Sequence, residues 1–171
     1  MERSVSDSPR GRYFEDFTLG EVLVTGRRTI TEADVAAFAG VSGDFNPLHT
    51  DQVFGESTPF GGRVAHGMLV ASVMTGQVNQ AGWVLGTTIA LLELTLKFVG
   101  AVKFGDTVQT KLEVTEKKET SKPDRGVVTL KTTVLNQRGE PVIQAQQVIM
   151  LRRRPGADHL EATATATGAG R

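Results

Sequence analysis

Residues 66–82 read HGMLVASVMTGQVNQAG, and the way this run packs decides the fold. Apolar side chains lie around most of its helical circumference, with Gly, Ala, Ser and Thr between them. A helix of that profile is expected to be buried on nearly every side, its small residues letting a sheet approach closely. The chain downstream of it has another period. TIALLELTLKFV (88–99), DTVQTKLEVTEKK (106–118), GVVTLKTTVLN (126–136) and PVIQAQQVIMLRRR (141–154) are rich in β-branched residues. In the second, Val108, Thr110, Leu112 and Val114 alternate with Gln109, Lys111, Glu113 and Thr115, the signature of a half-buried strand. Turn signals separate the runs: Gly105-Asp106, SKPDRG and NQRGE. Sequential hairpins of this kind predict an antiparallel sheet, and one helix against it makes an α+β fold with the helix on one face.

Working upstream, EVLVTGRRTI (21–30) reads as a strand running straight into a helix start. Thr31 caps that helix, and Asp34 completes a capping box. The helix EADVAAFAGVSG is short and stops at its glycines. Between it and His66 lies a long stretch without clear periodicity, too apolar and aromatic for disorder. Loops of that length in compact domains are usually functional.

Composition narrows the function. Nineteen basic residues balance nineteen acidic ones, so nothing points to nucleic acid or an anionic membrane surface. There is no cysteine, which rules out disulfides, thiolate metal sites and cysteine nucleophiles. The start, MERSVSDSPRGR, lacks the apolar stretch of a secretory signal, and no segment approaches the roughly 20 apolar residues that span a bilayer. A soluble, cytoplasmic protein is expected. Residues 1–12 and 155–171 are polar or small and read as disordered extensions around one domain, residues 13–154. His159 falls in the tail, leaving His49 and His66 as the chemical histidines.

The long stretch holds the segment SGDFNPLHTD (42–51), and GGRVAHGML (61–69) leads into the helix. Together these resemble the MaoC-like hydratases, the group that includes the (R)-specific enoyl-CoA hydratases. The resemblance runs from FEDFTLGE to the last strand. It implies a hot-dog fold, a long helix wrapped by an antiparallel sheet, usually dimerised through sheet edges. It also implies reversible hydration of a trans-2-enoyl thioester in fatty-acyl metabolism, carried by coenzyme A or acyl carrier protein, with no separate cofactor. By the same resemblance Asp44 and His49 match the catalytic pair, Gly67 the residue whose N–H faces the thioester carbonyl, and Asn46 and Pro47 the shaping residues between the pair. Thr75 keeps a hydroxyl where some relatives have serine.

The chemistry suits these residue types. Hydrating a conjugated double bond takes a proton from water and delivers one to the α-carbon, and Asp44 and His49 can share one water for both transfers. Pro47 fixes φ in the turn and biases Asn46 to an extended conformation, so that the two side chains converge. Asn46 has donors to hold the carboxylate. Enolate charge on the thioester oxygen would meet the Gly67 N–H, backed by the helix dipole. His66 reads as a structural histidine bridging loop and helix, and Asp51 as the cap of a short helical turn. Arg152–Arg154 read as a solvated strand end. Two histidines and scattered carboxylates show no metal-ligand spacing. The expected partners are an acyl-thioester substrate and a second copy of the chain, as a homodimer or dimer of dimers, because long strands leave edges that must be paired. The competing functions are a hot-dog thioesterase, against which the helix offers no Asp or Glu, and a non-catalytic acyl-CoA-binding domain, against which the Asp–His pair is intact.

Overall fold

The computed structural model describes residues 11–156. The disorder expected of the two ends falls, apart from Gly11, Arg12, Pro155 and Gly156, outside those residues. Gly11 and Arg12 are tied down, their N–H groups donating to the carbonyls of Leu85 and Trp83 at 2.8 Å. The described body therefore starts two residues before Tyr13.

A single 3₁₀ turn (Phe14–Asp16) leads into strand β1 (Val22–Thr29) and helix α1 (Glu32–Ser42). Thr31 caps α1 as expected: its hydroxyl accepts from the Asp34 N–H, while the Asp34 carboxylate accepts from the Thr31 N–H. The Thr31 N–H and hydroxyl both donate to the Asp34 carboxylate, and these bonds, with Arg28 2.5 Å away, hold the carboxyl below its ordinary value. Gly43 ends the helix at φ 75°, a left-handed position that glycine reaches without a Cβ clash. The stretch to His66 is not a bare loop. It forms two short helices, α2 (Pro47–Thr50) and α3 (Gln52–Ser57), capped by Asn46 and Asp51. Arg63 pins its far end, paired with Glu32 at 2.6 Å and lying over the Phe104 ring.

Helix α4 (Gly67–Gln80) comes next, then β2 (Thr88–Phe98), β3 (Thr107–Glu119), β4 (Arg125–Leu135) and β5 (Pro141–Arg152). The four late strands lie where their composition places them, and the inward set of β3, Val108, Thr110, Leu112 and Val114, is buried as its alternation requires. The order is β1-β3-β4-β5-β2, antiparallel throughout. Here simple sequential pairing fails at one step. β3 is flanked by β1 and β4, so β2 has no edge beside it and pairs with β5 instead.

α4 packs on one face of the sheet, its Leu69, Val70, Val73 and Met74 clustered with Val108, Val134 and Ile143. The expectation of burial on nearly every side is corrected. Met68, Ser72 and Asn79 are exposed, with Thr75 and Gly76 half-buried. One chain's sheet covers one face of a helix, and this stripe faces away from it. The one polar residue on the buried face, Gln77, has a clear task. Its amide donates to the carbonyls of Gly26 (2.9 Å) and Val108 (3.0 Å) and accepts from the Thr110 hydroxyl at 2.7 Å. β1 breaks register between Val24 and Arg27, and at that break Gln77 and the Thr25 hydroxyl both donate to the Gly26 carbonyl.

Arg153 also departs from expectation. It is buried and ion-paired with Glu15 at 2.7 Å, while Arg154 pairs with Asp16 at 2.6 Å. Arg153 makes the strand end a clamp on the 3₁₀ turn, while Arg152 and Arg154 are exposed as expected. No helix among the described residues is long and apolar enough to cross a membrane.

Candidate active site

Asp44 sits one residue beyond the left-handed Gly43, and its N–H reaches the Ser42 hydroxyl at 3.2 Å. Its carboxylate is exposed and accepts from the backbone N–H of Asn46 at 3.2 Å. The hold expected from the Asn46 carboxamide is thus supplied by its main chain. The Asn46 side-chain oxygen instead accepts from Leu48 N–H at 3.0 Å, capping α2. Pro47 stands at the first helical position, where a missing N–H costs nothing, and Asn46 is held at ψ 132°. α2 is one turn long. Its role is to bring His49 back toward Asp44.

His49 is half-buried, and its Nδ1 lies 2.7 Å from the carbonyl of Val64. A carbonyl only accepts, so in the neutral ring the proton is on Nδ1 and Nε2 carries a bare lone pair. His66 is 2% exposed, and its Nε2 lies 2.9 Å from the Asp44 carbonyl. The same logic puts its proton on Nε2. The two rings stack, centroids 3.8 Å apart and planes 33° from parallel.

An oxygen of Asp44 and one nitrogen of each histidine lie within 4.8 Å of one another. Within that cluster Asp44 and His49 can share a water, each hydrogen bond being about 2.8 Å long. The carbonyls of Val64 and Asp44 take the protons of His49 Nδ1 and His66 Nε2, so His49 Nε2 and the buried His66 Nδ1 are the ring lone pairs of this cluster.

His66 is also the N-cap of α4, and no side chain caps that helix. Gly67, the first helical residue, therefore has an N–H with no partner among the described residues, at the positive end of the helix dipole. A Cβ at Gly67 would come 2.7 Å from the Phe98 ring, so glycine here makes room for an aromatic wall.

These groups share one cavity of about 580 Å³. Asp44, His49, His66 and Gly67 line it, together with apolar residues such as Leu48, Phe60, Val70, Phe98, Val142 and Ile143. The strand residues of that wall were not foreseen. They come from β2, β5 and the segment after β2, which carry no local signal of a pocket. The Thr75 hydroxyl donates to the Ser72 carbonyl within α4, and Thr75 is not among the residues lining this cavity.

Comparison with known proteins agrees with this arrangement. The MaoC like domain model matches residues 16–136. The (R)-specific enoyl-CoA hydratase of Aeromonas caviae is 38% identical over 119 residues, covering 70% of this chain and 84% of that one. A structure described as a monoamine oxidase regulatory protein from Archaeoglobus superposes with TM-score 0.78 at 39% identity, covering 85% of this chain and 97% of that one. A Mycobacterium tuberculosis protein with a double hot-dog fold superposes with TM-score 0.76 at 26% identity, over 85% of this chain and 46% of that one. The chain spans 64% and 34% of the lengths of two other curated relatives it matches. The α+β layer seen here, a helix laid in a five-stranded antiparallel sheet, is the hot-dog fold.

Proposed function

The chain belongs to the MaoC-like domain family, and from that premise we propose that it is a hydro-lyase that reversibly adds water to a trans-2-enoyl thioester, giving the (R)-3-hydroxyacyl product. One observation carries the reading: the Asp44 carboxylate and the bare His49 nitrogen share an apolar cavity with the unpartnered Gly67 N–H. Water held by Asp44 and His49 gives a proton to the pair as its oxygen bonds to C3 of the acyl chain. Negative charge moves to the thioester oxygen, where the Gly67 N–H and the α4 dipole stabilise it. The pair returns a proton to C2 on the same face, and atoms and charge balance. The residues need no metal or other cofactor for these steps. The carrier is coenzyme A or acyl carrier protein.

The working unit is proposed to be a homodimer or a dimer of such dimers. β2 is an edge strand with one side unpaired, and it exposes Leu91, Leu92 and Phe98, the last two 51% and 52% accessible. Exposed apolar edges of that length invite pairing. Light scattering should give a multiple of the 18.3 kDa chain, and a monomer at micromolar concentration would refute the assembly.

The activity is tested by following the enoyl-thioester absorbance band over a panel of trans-2-enoyl-CoA substrates, with purified protein and no added metal. Loss of the band with formation of the (R)-3-hydroxyacyl thioester is expected. A protein that binds these thioesters without consuming the band is a binding domain, and one that releases free thiol is a thioesterase.

A further inference from the structure

His66 performs none of the hydration steps, yet it touches every element that supplies them. Its Nε2–H donates to the Asp44 carbonyl, its ring stacks on His49, and its backbone is the cap from which Gly67 and α4 begin. Resting on the hydration reading, we propose that His66 is a positioning residue: as the Nε2–H tautomer it locks the Asp44 turn, the His49 ring and the Gly67 N–H into one arrangement.

The state of its other nitrogen supports this. His66 Nδ1 is buried and has no hydrogen-bond partner. A buried acceptor left unpaired is a cost, so the imidazole is a poor choice for filling space. A phenyl ring would fill the same volume without that cost. What a phenyl ring lacks is the donor to Asp44, and that bond matters locally. The Asp44 carboxylate is exposed, and Asp44 itself otherwise makes two bonds of 3.2 Å, to the Ser42 hydroxyl and from the Asn46 N–H. The His66 bond at 2.9 Å is the shortest of the three that Asp44 makes and the only one from a residue distant in sequence. His49 has the complementary need. Its hydrogen bond to Val64 fixes one atom and leaves the ring to swing about it. The face of His66, backed by Phe38 at 5.1 Å between centroids, stops that motion.

The same facts weigh against His66 as a second base. Its Nε2 proton is committed to a carbonyl, and its Nδ1 is shut off from solvent. Proton exchange with a substrate water requires one of them to be reachable.

Two variants separate the parts of this role. His66→Phe keeps a stacking ring and loses the donor, whereas His66→Gln keeps an N–H at similar reach and loses the ring. Misplacing a reacting group by about 1 Å can cost on the order of 10²-fold, so His66→Phe should lower kcat by about ten- to a hundredfold with KM changed by less than about threefold. His66→Gln should recover part of that loss. Both limbs of the kcat/KM pH profile should survive in each variant. A lost limb would make His66 a proton-transfer residue, and unchanged kcat in His66→Phe would make it packing only; either overturns the proposal.

A second measurement needs neither turnover nor a variant that folds. Imidazole ¹⁵N–¹H correlation spectra of the wild-type protein should show the neutral His66 proton on Nε2 and the neutral His49 proton on Nδ1. A neutral His66 with its proton on Nδ1 overturns the proposal. If no enoyl thioester is hydrated while the spectra show the expected tautomers, the hydration reading fails and the interlock stands.

Discussion

The two ends of α4 lie in opposite kinds of surroundings. Its C-terminal end, at Val78, is sealed. Phe14 and Phe17 from the 3₁₀ turn plug the sheet there, packed with Leu112, Val128, Leu130 and Leu151. Charges lock the plug from outside: Arg12 with Glu21, Arg153 with Glu15, and Arg154 with Asp16. The N-terminal end is open. There a cavity of about 580 Å³ meets a helix start without a side-chain cap, an exposed carboxylate, and a buried imidazole nitrogen without a partner. Polar groups left unsatisfied reduce stability; at the sealed end the buried Thr87 hydroxyl, next to Val84, also lacks a partner, but it lies outside the cavity. The fold concentrates stability at one end of the helix and reactivity at the other.

The largest effect that would test this contrast is at the open end. Asp44→Asn and His49→Ala should each lower kcat by at least about a hundredfold, the usual scale of lost proton transfer. The thermal midpoint should stay near that of the wild type, because Asp44 is exposed and His49 half-buried. Retention of more than about a tenth of the activity would remove that residue from the mechanism. Acid–base work by two groups should give the wild-type kcat/KM profile two limbs, and His49→Ala should erase one of them from the residual activity.

At the sealed end the signs reverse. Phe17 is 2% exposed, and Phe17→Ala should cost about 3–5 kcal/mol of stability with kcat per folded molecule unchanged. Calorimetry alongside a hydration assay reads both. A fall in kcat matching the loss of stability would mean that the ends are not separable.

Smaller again is Gly67→Ala. Its new methyl group meets the Phe98 ring at 2.7 Å, and a ring at the far end of its side chain can yield by a small rotation. Activity should fall by about tenfold or less, since the N–H itself is kept. Shortening the wall with Phe98→Leu in the same chain should restore most of the loss. If the second change adds to the damage, Phe98 contacts the substrate directly.

The smallest effect is in acid. Burial opposes the Glu15 charge, but the Arg153 guanidinium and the Arg154 N–H outweigh it and hold the carboxyl below its ordinary 4.5. A depressed carboxyl contributes stability above its unfolded value and loses it as pH falls through the folded one. The clamp should therefore weaken below about pH 4.5, and Glu15→Gln should flatten the decline of thermal midpoint there. An unchanged slope would assign the acid sensitivity to Asp16 or Glu21, whose carboxyls are lowered by the same kind of contact.

Much of this molecule is legible residue by residue. Thr31 and Asp34 announce a helix start because a capping box closes within one turn, and the alternation of β3 announces a buried face because side chains point in opposite directions at successive residues. The Asp44–His49 pair and Gly67 are readable for a related reason: turn, proline and helix start lie within 24 residues of one another in the chain. Other features needed the folded chain. Nothing in β2 says that it will pass β3 and lie beside β5, because that depends on which edge is vacant once the other strands have paired. Nothing near Asn46 says that its backbone, not its side chain, will hold the carboxylate, since α2 competes for the carboxamide. The proton on His49 is placed by the carbonyl of Val64, 15 residues away, and the Asp44 turn is held by a ring 22 residues away. Periodicity and turn chemistry act between near neighbours and leave their mark in sequence. Tautomers, cavity walls and strand order depend on which distant groups come within about 3 Å, and only the folded chain decides that.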